Sequence, residues 1–132
     1  DELFRPLHLP HLQDLELTPY NETAPSALWP FRDIAIFLNF LYRLQDGLRR
    51  FRLCEGGRVV DEAVLLRVIS MPQMSTLIGL FIDGIAGRVG DNFFKRLTCA
   101  SGSRPLLPAL EQLRISRCST TDGVIARMLW SR

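Results

Sequence analysis

Near the end of the chain four apolar residues, Leu110, Leu113, Ile115 and Cys118, stand in the order L-x-x-L-x-L-x-x-C, and this spacing constrains the fold more than any other feature. Leu113 and Ile115 are two apart, so on a short strand both face one way while Arg114 and Ser116 face the other. Leu110 lies on the turn leading in, where it covers the edge of the same core. Cys118 is expected to be a small buried residue at the point where the chain leaves the strand. Beyond it, Thr121 or Asp122 stands where a helix N-cap belongs, and Val124, Ile125, Met128 and Leu129 form one apolar stripe. Neither a short strand nor a short helix can bury such a face alone, so the two must cover each other.

The rest of the chain repeats this unit. Pro10-His-Leu12-Gln-Asp-Leu15-Glu-Leu17 carries the same slots, as does Leu48-Arg-Arg-Phe51-Arg-Leu53. In the third copy Met74 or Leu77 can head the motif, and Leu77-Ile-Gly-Leu80-Phe-Ile82 fills every slot. Apolar pairs at helical spacing follow each strand: Ile36, Phe37, Phe40, Leu41; Val64, Leu65, Val68, Ile69; Phe93, Phe94, Leu97. Their first members, with Val124, fall at 36, 64, 93 and 124, steps of 28, 29 and 31 residues. Asp33 and Asp61 stand three residues before the first apolar residue, as N-caps do. This is the leucine-rich-repeat signature. It predicts an α/β solenoid of about four units, near 7–43, 44–71, 72–104 and 105–132, forming a single domain. Its right-handed β–α superhelix places a short parallel sheet on the concave face and helices on the convex face.

The irregular steps have addresses. From strand to helix, 53 to 64 and 82 to 93 each span 11 residues, whereas 17 to 36 spans 19. The excess falls in Thr18–Arg32, whose Pro19, Asn21, Pro25, Ser26 and Pro30 are loop chemistry. A second insertion occupies Cys99–Pro105.

Composition narrows the class of work. At 132 residues and 47% hydrophobic the chain has the makings of one globular core. A net charge of +2 is too small to point to nucleic acid, and no apolar run is long enough for a membrane span. Cys54, Cys99 and Cys118 cannot all pair and lack metal spacing, which favours a reducing, intracellular setting. The chain opens at Asp1 directly on a repeat, and is expected to be part of something longer.

The last unit, Leu107-Pro-x-Leu110-x-x-Leu113-x-Ile115-x-x-Cys118 running into Asp122 and ending Ala126-Arg127-Met128-Leu129-Trp130-Ser131-Arg132, resembles the C-terminal leucine-rich repeats of fungal F-box proteins, especially those of mushroom-forming fungi. The likeness is good over Pro105–Arg132 and weak elsewhere. In that family an N-terminal F-box recruits a ubiquitin ligase scaffold and the repeats select the substrate. The resemblance therefore implies a protein-recognition module, probing substrates for a ligase adaptor. No F-box lies among these residues, so scaffold recruitment is not assigned to them. The third unit departs from the family pattern, with Gly79 and Gly84 flanking its strand.

If the strands align, residues alternating with the buried ladder form columns on the outer face. The central column is Glu16, Arg52, Phe81, Arg114. Beside it run Asp14, Arg50, Gly79, Gln112 and Thr18, Cys54, Asp83, Ser116. A Phe between two Arg is the composition of an interface hot spot, which makes Glu16, Arg50, Arg52, Phe81, Asp83, Arg114 and Ser116 the candidate partner-binding residues, for a protein presenting an acidic segment with an apolar residue. Equally, Arg52 can simply pair with Glu16, and Phe81 can pack beneath the 18–32 insertion.

Other readings remain beside this one. A leucine-rich-repeat scaffold need have no connection to ubiquitin ligation. Gly84-Ile-Ala-Gly87-Arg-Val-Gly90 follows a strand and precedes a helix, the position of a nucleotide loop in a small α/β enzyme domain. Yet Ala86 and Val89 stand where the dinucleotide fingerprint needs glycine. His8 and His11 form an isolated H-x-x-H without an adjacent carboxylate in sequence, and Asn21-Glu-Thr23 is a glycosylation sequon that matters only in a secreted chain. No Ser, Cys or carboxylate has an activating partner in sequence, so neither catalytic residues nor a cofactor or metal is expected.

Overall fold

Each Leu-x-Leu step becomes a strand in the computed structural model, which describes residues 2–18, 33–54, 61–83, 89–99 and 105–132. The elements run β1 (Asp14–Leu17), α1 (Ile34–Tyr42), β2 (Arg50–Cys54), α2 (Glu62–Ile69), β3 (Gly79–Asp83), β4 (Val89–Gly90), α3 (Asp91–Leu97), β5 (Gln112–Ile115), β6 (Cys118–Ser119) and α4 (Val124–Trp130). Short 3-10 turns at Glu2–Phe4 and Pro72–Met74 complete the described residues. The insertion at 19–32 with its sequon, the glycine loop at 84–88 and the second insertion at 100–104 lie outside them.

The fold is α/β. Four strands form a parallel sheet in the order β1-β2-β3-β5, and β4 pairs with β6 in a separate parallel pair. Leu15 lies opposite Phe51, Phe51 opposite Leu80 and Leu80 opposite Leu113; Leu17, Leu53, Ile82 and Ile115 form the next rung. The third copy is therefore in the register that Leu77 as its head requires. The first two helices begin where carboxylates cap them: Asp33 accepts from the Ala35 N–H at 3.0 Å and Asp61 from the Ala63 N–H at 2.8 Å.

One core lies between the sheet and the helices. Phe51, Leu53, Leu80 and Ile82 from the inner strands pack with Phe37, Phe40, Leu41, Leu65, Val68, Ile69, Phe93, Phe94, Leu97, Val124 and Met128 from the helices. Phe4 reaches in from the N-terminal turn, 5.1 Å from Phe37 and 5.2 Å from Phe40 between ring centres. The Arg43 guanidinium fixes that turn by donating to the carbonyls of Phe4 and Arg5. Gly47 makes the turn into β2. Its φ is +70, and a Cβ there would stand 2.6 Å from the Gln73 carbonyl oxygen.

Several expectations need correction. Leu15, Leu17, Leu113 and Ile115 are only half-buried, because among the described residues β1 and β5 have a sheet neighbour on one side alone. Cys118 is exposed rather than buried, although it lies opposite the buried Val89 in the two-stranded β4–β6 ladder. Neither Thr121 nor Asp122 caps α4 with its side chain. Gly123 holds the N-cap at φ 80, while the Thr121 N–H and hydroxyl both donate to the Asp91 carboxylate, at 2.7 and 2.6 Å. On α4 only Val124 and Met128 are buried, and Leu129 points outward.

Candidate functional site

The face of the sheet turned away from the helices carries the predicted columns in register. Glu16, Arg52, Phe81 and Arg114 are successive Cα partners across the four strands, and Asp14, Arg50, Gly79 and Gln112 form the row beside them. Cys54 lies opposite Asp83. Ser116 follows directly, its N–H donating to the Ile82 carbonyl at 3.0 Å. Strand alternation fixes this arrangement, since the buried partner of each outward residue is the Leu, Ile or Phe next to it.

The charges on this face are paired laterally. Arg50 lies 3.6 Å from Asp14, Arg52 lies 3.7 Å from Glu16 and the Arg114 Nε lies 3.1 Å from the Asp83 Oδ1. That last contact is an ion pair without hydrogen-bond alignment, so the buried Oδ1 of Asp83 has no hydrogen-bond partner among the described residues. Three arginines thus balance three carboxylates. The arginine side chains remain 45 to 71% exposed, and ion pairs of this kind are worth about 0–1 kcal/mol. Opening the Arg50–Asp14 and Arg52–Glu16 pairs toward a ligand costs little, whereas Arg114 faces the buried Oδ1 of Asp83.

Phe81 does not stand up from the sheet. Its ring lies down over Gly79, two residues back on the same face, where a Cβ would come within 2.7 Å of the Phe81 Cε2. The Arg52 guanidinium carbon stands 5.0 Å from the ring centre, a cation–π distance. Gly79, which in sequence is only a departure from the repeat pattern, makes the space for the ring. The result is a hollow lined by Asp14, Glu16, Arg50, Arg52 and Phe81.

Beside this hollow the Cys54 thiol donates to the Glu16 carboxylate at 3.6 Å, and Thr18 donates to the same oxygen at 3.4 Å. Burial, then the neighbouring Glu16 charge, raises the Cys54 pKa. That is the opposite of what an activated thiolate needs. Ser116 uses its hydroxyl on the Ile82 carbonyl at 3.4 Å.

The remaining sequence motifs resolve individually. His11 Nδ1 lies 2.7 Å from the Asp46 carboxylate, a partner that sequence distance conceals, and no group of three or more metal-ligating residues occurs among the described residues. Gly90, the described end of the glycine loop, donates its N–H to the Glu62 carboxylate at 2.6 Å. A carboxylate therefore already sits where a phosphate would approach the head of α3. A cleft that no motif flagged lies elsewhere, between Ile69, Met71, Lys95, Arg96, Leu106 and Pro108. Among the described residues, no helix is long and apolar enough to cross a membrane. No protein-family model, curated protein or solved structure matches this chain.

Proposed function

We propose that this chain is a leucine-rich-repeat solenoid that binds another protein on its open sheet face, and that it serves as the substrate-selecting part of a fungal F-box adaptor. The observation that carries this reading is the unbroken row Glu16, Arg52, Phe81, Arg114, in which an aromatic ring is flanked by arginines on a rigid sheet. Aromatic and Arg side chains dominate binding energy where a partner excludes water from them. The partner presents an apolar residue to the Phe81 ring and a carboxylate to Arg50 or Arg52, displacing the weak pairs with Asp14 and Glu16. Asp83 and Ser116 supply acceptors and a hydroxyl at the upper rim. The three free thiols fit a reducing compartment.

The test compares the native chain with an Arg50→Glu/Arg52→Glu double variant. Immobilised native protein is expected to retain a defined partner from an extract of its source cells, and the double variant to lose it with the melting temperature nearly unchanged. Undiminished capture by the variant would remove the sheet face from consideration. The ligase connection is tested separately, by whether the full-length protein co-purifies with a cullin-type scaffold.

A further inference from the structure

A groove crosses the outer side of the helices, away from the sheet face, and its walls are built from described residues. Its two hollows share Ser70, Met71 and Arg96. One extends from there to Leu38 on α1 and to Leu66 and Arg67 on α2; the other is the cleft that reaches Lys95, Leu106 and Pro108. Their volumes, about 510 and 540 Å³, each fall in the range of roughly 300–1,000 Å³ that ligand sites occupy.

The groove is apolar and cationic. Arg67, Lys95 and Arg96 stand exposed along it, and among the described residues no Asp or Glu lines either hollow. The sheet-face hollow is built differently, with Asp14 and Glu16 beside its arginines. Carboxylates of the helical layer are engaged elsewhere: Asp33 and Asp61 cap helices, Glu62 accepts from the Gly90 N–H and Asp91 accepts from Thr121. Lys95 reaches Asp91 at 3.9 Å, but Arg67 and Arg96 have no ion pair among the described residues. Their place in the last turns of α2 and α3 suits the helix dipoles. It does not account for a groove without one carboxylate between them.

One wall of the groove is strained. Leu107 is the only non-glycine residue with a left-handed φ among the described residues, at 52, and it is buried. The Arg132 guanidinium holds this turn, donating to the carbonyls of Leu97 and Leu106 at 3.1 and 3.2 Å and to that of Leu107. Such strain persists only where the surroundings over-determine it, and it gathers at ligand clamps. Here it sets Leu106 and Pro108, on either side of Leu107, into the wall of the groove.

Packed helices lie about 8–10 Å apart, so a groove crossing from α1 to α3 runs for roughly 16–20 Å, the span of about five or six residues of extended chain. That length suits a chain segment better than a small anion. We infer that the helix side carries a second binding surface, which takes an extended segment of a partner protein bearing carboxylates interleaved with apolar side chains. The carboxylates meet Arg67, Arg96 and Lys95, and the apolar side chains enter between them, against Leu66, Met71 and Leu106. This surface is separate from the sheet face and does not depend on it.

The bait for the test is therefore the Arg50→Glu/Arg52→Glu chain, in which the sheet face is disabled. A phage-displayed library of random twelve-residue peptides is selected against it. Enriched peptides are expected to combine Asp or Glu with Leu, Ile, Met or Phe. Made synthetically with a fluorescein label, they are expected to bind the native protein by anisotropy, more weakly as salt rises. Arg67→Glu/Arg96→Glu is expected to weaken that binding at least about tenfold, because like charges forced together at an interface repel strongly. Both side chains are exposed, so the melting temperature is expected to hold; Arg67→Gln/Arg96→Gln, which removes charge without reversing it, is expected to give a smaller loss. No enrichment, enriched peptides without acidic residues, or equal binding to the charge-reversed chain would each overturn the inference. So would a dimer in sedimentation velocity that the same double variant dissolves, because it would assign the groove to a second copy of this chain.

Discussion

Replacing Leu80 and Leu113 by Ala, one at a time, separates the inner from the outer rungs of the same ladder. The two leucines are direct partners across β3 and β5, and spacing alone assigns them equal weight. Leu80 is 0% exposed, with Phe51 on one side and Leu113 on the other. Its truncation removes the transfer energy of a whole side chain and leaves a closed cavity, so the loss falls within roughly 2–5 kcal/mol, as for other fully buried leucines. Leu113 is half-buried and has no strand beyond it among the described residues. Truncation there forfeits part of a burial energy of about 1.5–3 kcal/mol, and the vacated space opens to solvent rather than forming a void. The expected loss is about 1–2 kcal/mol. Urea unfolding, fitted with a common dependence on denaturant, resolves the difference. A loss at Leu113 equal to that at Leu80 would falsify the edge-strand description of β5.

Two further outcomes follow from local geometry. Gly47→Ala puts a Cβ against the Gln73 carbonyl in a left-handed turn, and is expected to cost about 1–3 kcal/mol by thermal or chemical unfolding; unchanged stability would mean the turn is not held as described. The Asp91 carboxyl is held below its ordinary pKa, first by the Thr121 hydroxyl and then by the Thr121 N–H. Its folded pKa lies below the unfolded one, so this contribution is complete above the unfolded Asp value and disappears as the pH falls through the folded value. Thr121→Val removes the hydroxyl and keeps the N–H. A carboxyl-carbon NMR titration should show Asp91 moving part of the way back toward an ordinary aspartate, and an unmoved titration would assign the shift elsewhere.

The sequence by itself determined the four strands of the main sheet, the faces their residues take and how those strands align, but not the β4–β6 pair. Alternation and helical spacing are local properties of the chain, and repetition transfers them from one unit to the next. The pairing of Phe81 with Arg52 and Arg114, and the caps at Asp33 and Asp61, were legible for the same reason. Burial at the ends was not: Leu113 and Leu80 have the same motif position, and only the sheet order decides which has neighbours on both sides. Cys118 carries the motif's buried-cysteine slot, but it lies exposed in the separate two-stranded β4–β6 ladder, a pairing that spacing does not announce. The candidate site likewise took its shape from contacts that spacing cannot encode. Whether Arg52 meets Glu16, and whether Phe81 lies down on Gly79, depends on distances between strands and on the room a missing Cβ leaves. Those quantities exist only once the sheet is assembled.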